Sequence, residues 1–208
     1  MTSISNQSDL ENWSGGDTGT LTANITLSGG TWPLTLADNS ILDGNRYTIT
    51  LSSSNTGGLF NIASGSITAT IKNLKIDADA VSTMDIRVGV LVKDVVQSST
   101  TLTITNCGIV GAFSLNNDGG SFVGRTLPAA SSSVVTISKC YSTATISGTS
   151  SGGIMGLKAG NASTVNISEC YTTGAISGTN AGGISGGSFG LNMSGTATIK
   201  NCYATGAV

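Results

Sequence analysis

The chain has 208 residues, of which only 10% are charged, against about 25% in ordinary soluble domains, and its formal net charge is −2. Disordered chains combine low hydrophobicity with high net charge, so a mean hydropathy of +0.21 points to a packed core. A charge this small leaves no electrostatic footprint for nucleic acid or an anionic membrane, and no apolar run approaches the roughly 20 residues of a membrane span; neither partner is expected.

The first residues, MTSISNQSDLENW, lack the basic and apolar regions of a secretory signal, so no signal peptide is expected in this chain. Ser8 followed three residues later by Glu11 reads as a capping box, predicting one helical turn over 8–13 with Leu10 and Trp13 on one side. Residues 1–18 are therefore assigned as an N-terminal cap, placed to cover strand edges that would otherwise recruit other chains. From Gly19 onward the strand signals recur as TLTANITL, WPLTLADNSILDG, RYTITL, SITATIKNLKID and RVGVLVKDVV. Each run clusters β-branched residues and is closed by Gly, Asn, Asp or Ser.

The regular part spans 101–208. Cys107, Cys140, Cys170 and Cys202 lie 33, 30 and 32 residues apart, in TLTITNCGIVGAF, VVTISKCYSTATI, TVNISECYTTGAI and TATIKNCYATGAV. A fixed period of this length means one unit stacked on itself. Earlier segments fit the same frame. ATIKNLKIDA (69–78) aligns with ATIKNCYATG (197–206), placing Leu74 at the cysteine position, and SNTGGLFNI (54–62) aligns with TSSGGIMGL (149–157) and TNAGGISGG (179–187). Within a repeat, alternation puts Val165 and Ile167 inward. A turn near Ser168–Glu169 resets the phase, so that Cys170, Thr172, Gly174 and Ile176 also face inward, and a second turn at Gly178–Ala181 leads to an inward Ile184. Three short strands and three turns make a triangular coil. The expected fold is all-β: a right-handed parallel β-helix of about six or seven coils, forming a single domain over 19–208 behind the short capping helix.

In-register coils turn equivalent residues into columns. Cys107, Cys140, Cys170 and Cys202 form one inward column, and Phe113, Ile146, Ile176 and Val208 another. Parallel side chains near 4.8 Å apart keep the Cβ atoms beyond the usual disulfide range of about 3.5–4.5 Å. A straight ladder also does not converge on one tetrahedral metal. The cysteines are therefore expected to be free core thiols, with no metal and no cofactor. Tyr141, Tyr171 and Tyr203 should stack outward as an aromatic binding wall, with Thr143, Thr173 and Thr205 beside them. A further outward column, Thr103, Thr136, Asn166 and Thr198, is flanked by Thr105, Ser138, Ser168 and Lys200. Threonine arrays of that kind raise ice binding as an alternative function.

The segments LTANITL, ILDGNRYTITL, NTGGLF, ATIKNLKI and the recurring CYxTGxIxGxxxGGI resemble the GLUG-type repeats of the pectate-lyase-like β-helix superfamily, over residues 9–208. Similar repeats occur in bacterial surface proteins and in large DNA viruses. The resemblance implies a scaffold or adhesive surface without catalytic residues, at a cell or virion surface, engaging a protein or glycan partner.

Against an enzyme stands the scatter of the acids: Asp38, Asp43, Asp77, Asp79, Asp85, Asp94 and Asp118. Glycoside hydrolysis needs clustered carboxylates, and only Asp77 and Asp79 with Arg87 come near one. A polysaccharide lyase or hydrolase is accordingly an alternative reading. Asp43, in LDGN, is expected to serve a turn. Unpaired strand edges at Val208 predict either a homo-oligomer or capping subunit at that end, or a chain that is a fragment of a longer array. Asn6, Asn12, Asn24, Asn161, Asn166 and Asn192 stand in N-x-S/T sequences.

Overall fold

A computed structural model describes all residues except 14, 31, 63–64, 96–98, 126–131, 158–162 and 191–194. It is a parallel β-solenoid. The first wall holds eight strands: Thr2–Ile4, Thr18–Leu21, Ser40–Asp43, Thr68–Lys72, Thr101–Thr105, Val134–Ser138, Thr164–Ser168 and Ala197–Lys200. The second holds seven: Ile25–Thr26, Thr48–Thr50, Lys75–Asp77, Gly108–Val110, Tyr141–Ser142, Tyr171–Thr172 and Tyr203–Ala204. The third begins as Leu34–Leu36 paired with Phe60–Ile62 and continues through the bridges Phe60↔Val92↔Val123↔Met155↔Ser185. Among the described residues every pairing is parallel. About five regular turns run from Ser40 onward, preceded by a shorter one in which Thr18 pairs Ile41 and followed by the final strands Ala197–Lys200 and Tyr203–Ala204.

Alternating Thr and aliphatic residues make the first-wall strands, because period-2 alternation places one set inward and the other out. Thr101↔Val134↔Thr164 and Ile104↔Ile137↔Ile167↔Ile199 are in strict register. The three corners are set by residues in the left-handed region. Asn73, Asn106, Lys139, Glu169 and Asn201, with φ from 53° to 54°, turn the first wall into the second. Arg87, Asp118, Ser150 and Asn180 turn the chain into the third, and Ser99 and Ser132 return it to the first. One left-handed residue reverses the pleat, which is why Ile167 and Cys170 can both face inward. The third wall also needs glycine: a Cβ at Gly152 would run into the backbone of Met155 and Gly186.

The core is one continuous hydrophobic column from Ile4 to Cys170. Two inward hydroxyl contacts bridge the core, Ser121 with Ser142 at 2.6 Å and Thr172 donating to the Gly183 carbonyl at 2.8 Å. Leu115, not Phe113, lies in register with Ile146 and Ile176. The coil after Cys107 is two residues longer before this point, and a two-residue shift preserves the face, so Phe113 is still buried.

The N-terminal helix spans Gln7–Asn12, and its N-cap is Asn6, not Ser8. Asn6 accepts from the Asp9 amide at 3.0 Å, while the Asp9 carboxylate reaches back to the Ser5 amide at 2.9 Å. The capping pattern is thus shifted two residues from the expected one, because the strand Thr2–Ile4 in the first wall sets where the helix begins, and Glu11 accepts from the Gln7 side chain instead. Leu10 is fully buried, and Trp13 meets Phe60 edge-on at 6.5 Å. The strand Thr2–Ile4 joins the first wall ahead of this helix. At the other end Ile199 is 42% exposed and Val208 fully so.

Candidate functional site

The outward side of the second wall carries a column of tyrosines. Tyr141↔Tyr171↔Tyr203 are in register, so the ladder spacing brings their rings together. Centroids lie 5.3 and 5.2 Å apart, with interplanar angles of 9° and 5°. Tyr203 is the most open of the three, and burial together with its two neighbours holds the Tyr171 phenol above its ordinary pKa. Of the adjacent threonines, Thr143 exchanges hydrogen bonds with the Gly111 backbone at 3.2 and 3.3 Å, while Thr173 and Thr205 are exposed.

One level before Tyr141 the column is interrupted. The residue in register is Gly108, and before that Lys75. Tyr141 leans over the missing side chain, and a Cβ on Gly108 would collide with its ring. The gap is a cavity of about 330 Å³ lined by Arg46, Asn73, Lys75, Asn106, Gly108 and Tyr141, with Leu74 at its base. One face of the Tyr141 ring is taken by Tyr171, and the opposite face looks toward this notch.

The notch is built on an amide ladder at the first corner. Asn106 donates to Asn73 at 2.8 Å, and Asn73 donates to the Asp43 carboxylate at 3.0 Å. Asp43 also accepts from the Asn45 amide at 2.9 Å and pairs with Lys72 at 3.2 Å. Burial would raise its carboxyl, but these bonds from Asn73, Asn45 and Lys72 outweigh it and hold the pKa below the usual carboxylate value. Asp43 is a turn residue, as expected, and also the foot of the ladder. Arg46 and Lys75 are both exposed, and among the described residues neither has an acidic partner within 4.0 Å. Two unpaired cations, an amide oxygen on Asn106 and an aromatic face therefore converge.

The cysteines form the inward column on the other side of this wall. Cys107, Cys140 and Cys170 are buried, Cys202 is half-buried, and all four are free. Each thiol donates to the carbonyl two residues before it, at 3.1 to 3.3 Å. Burial pushes the Cys140 thiol well up.

In the alternative trio, Arg87 makes its ion pair with Asp118, at 3.3 Å, and not with Asp77 or Asp79. Asp77 accepts from the Asp79 amide and Asp79 from the Ala112 amide. The threonine face of the first wall is broader than expected. Around the column Thr103, Thr136, Asn166 and Thr198 run Thr101, Val134 and Thr164 on one side and Thr105, Ser138 and Ser168 on the other. Charge enters only at the flanking levels, through Lys72 and Lys200. Among the N-x-S/T residues, Asn6 is the helix cap and Asn24 accepts from the Thr48 amide. Asn161 and Asn192 lie outside the described residues.

No family model, curated protein or solved structure matches this chain. Among the described residues no helix is long and apolar enough to cross a membrane, and no three acidic, thiol or imidazole groups gather as metal ligands.

The notch residues Arg46, Lys75 and Asn106 escaped the reading of the sequence. A signal existed: the repeat aligns CG at 107–108 with CY in the three later coils, which marks one missing ring.

Proposed function

We propose that the protein is a non-enzymatic β-solenoid scaffold that uses its tyrosine-bearing second wall as a rigid surface for a glycan or protein partner, as part of a cell or virion surface. The observation that carries this reading is the outward column of three stacked rings. Aromatic side chains supply large contact area at low entropy cost, and here the ladder has already ordered them. The motif resemblance to GLUG-type repeats of the pectate-lyase-like superfamily supports an adhesive role by association, and the solenoid is compatible with it.

The test is a panel of neutral and acidic glycans screened against the 208-residue chain and a variant with Tyr141, Tyr171 and Tyr203 all changed to Ser. Binding that is lost in the variant is expected. Binding of equal strength in both proteins removes the tyrosine wall as the binding surface, and none in either removes the glycan partner.

A second reading draws on the first wall, whose three adjacent hydroxyl-rich columns suit ice binding. Thermal hysteresis that disappears on Thr136→Lys is its expected result, and an inactive parent chain ends it.

A further inference from the structure

The notch at Gly108 has chemistry that the tyrosine wall lacks. We infer that it is a subsite for a carboxylate-bearing sugar, with Arg46 and Lys75 receiving the acid, Tyr141 carrying the apolar face of the pyranose ring, and Asn106 and Asn73 engaging its hydroxyls. This rests on the wall reading, because the subsite lies at one end of the same column.

Four observations converge on that ligand. The cavity, about 330 Å³, falls at the small end of the range for small-molecule sites, roughly 300–1,000 Å³. Its two cations come from different coils, and their backbones are fixed: the Arg46 amide donates to the Asn73 carbonyl at 2.8 Å, and the Lys75 amide to the Tyr47 carbonyl at 3.3 Å. Charge-assisted hydrogen bonds from a guanidinium and an ammonium are the strong recognition elements for a carboxylate. The amide ladder points one way, from Asn106 through Asn73 to Asp43. That leaves the Asn106 carbonyl oxygen, at the end of the run, to accept from a hydroxyl. Finally, the aromatic platform is single: one face of Tyr141 is already covered by Tyr171 at 5.3 Å. A sugar, with one apolar face and polar edges, matches one platform edged by amides.

The surroundings agree in sign. The nearest carboxylate in the ladder, Asp43, is neutralised by Lys72 and two hydrogen bonds, so it does not cancel the two cations. Gly108 itself holds the cavity open.

The experiment is calorimetric titration of the full chain with a glucuronate-terminated trisaccharide, its neutral methyl ester, and inorganic phosphate. Binding of the acid at least tenfold tighter than the ester is expected, with that preference lost in Arg46→Asn and in Lys75→Gln. Arg46 stands at φ 69°, where Asn is well tolerated, so that variant keeps the corner. Gly108→Tyr is the second route: its side chain would push the Tyr141 ring off its seat and fill the notch beside Lys75, and should abolish acid binding while the circular-dichroism spectrum of the solenoid is retained. Equal affinity for acid and ester, insensitive to these variants but sensitive to Tyr171→Ala, overturns the subsite and leaves the wall reading standing. Phosphate binding as tightly as the trisaccharide overturns the sugar assignment. No binding by any glycan overturns the subsite together with the glycan form of the wall reading.

Discussion

Replacing Lys139 with asparagine should stabilise the protein. Lys139 occupies the first corner at φ 54°, between Asn106 before it and Glu169 after it. A left-handed backbone costs an ordinary L-residue roughly 1–2 kcal/mol, and Asn is among the few that visit it readily. Relief of about 1 kcal/mol is therefore available at this position. The neighbouring geometry adds a second gain. Asn106 donates to Asn73 across one coil at 2.8 Å, and the Ser138↔Thr105 register places residue 139 directly beyond Asn106. An amide there can donate to the Asn106 oxygen, contributing about 0.5 kcal/mol at an exposed site. The sum, about 1.5 kcal/mol, raises the thermal midpoint by roughly 3–6 °C for a chain of this size. Thermal unfolding followed by circular dichroism should then rank Lys139→Asn above the parent and Lys139→Ala at or below it, because alanine retains the backbone cost. If asparagine and alanine variants melt together, left-handed strain at this corner is not the operative quantity.

Other consequences follow from the same architecture. Ile104→Ala, at a fully buried position between two coils, should cost about 2–5 kcal/mol in chemical denaturation, whereas Ile199→Ala, in the same column but 42% exposed, should cost about 1 kcal/mol; equal losses would mean the last level is covered in solution. A thiol reagent should modify Cys202 in the native state and reach Cys107, Cys140 and Cys170 only on unfolding, and uniform reactivity would show that the column is not inward. The depressed Asp43 pKa contributes stability that is present above the unfolded value of about 3.9 and lost as pH falls through the folded one. Asp43→Asn should flatten that part of the acid-side slope in denaturation midpoint, and an unchanged slope would refute the ladder's role. Tyr171 has the opposite sense: its raised pKa favours the folded state below the unfolded value of about 10, and that contribution is lost as pH rises through the folded one, so Tyr171→Phe should flatten part of the alkaline-side slope in denaturation midpoint, and an unchanged slope would count against the shift.

The cysteine period alone was enough to establish stacking, because only a repeated unit places one residue type at a fixed interval in segments that otherwise differ. It also determined which side each side chain takes: Val165, Ile167, Cys170 and Thr172 are all buried, and Leu74 stands where the later cysteines do. Period-2 alternation is a local property of the backbone, so these features could be read one strand at a time. The capping helix was legible in place but not in its cap, since Asn6–Asp9 and Ser8–Glu11 are both plausible pairs until the strand Thr2–Ile4 sets where the helix begins. The column through Phe113 was misplaced by two residues because a short insertion leaves the face unchanged and so leaves no trace in the alternation. The notch belonged wholly to the tertiary structure. Arg46, Lys75, Asn106 and Tyr141 come from four successive levels, and what joins them is the register between coils together with a side chain that Gly108 does not have. A sequence specifies the face of each residue through its own backbone geometry, but which residues meet across coils depends on the length of every turn between them.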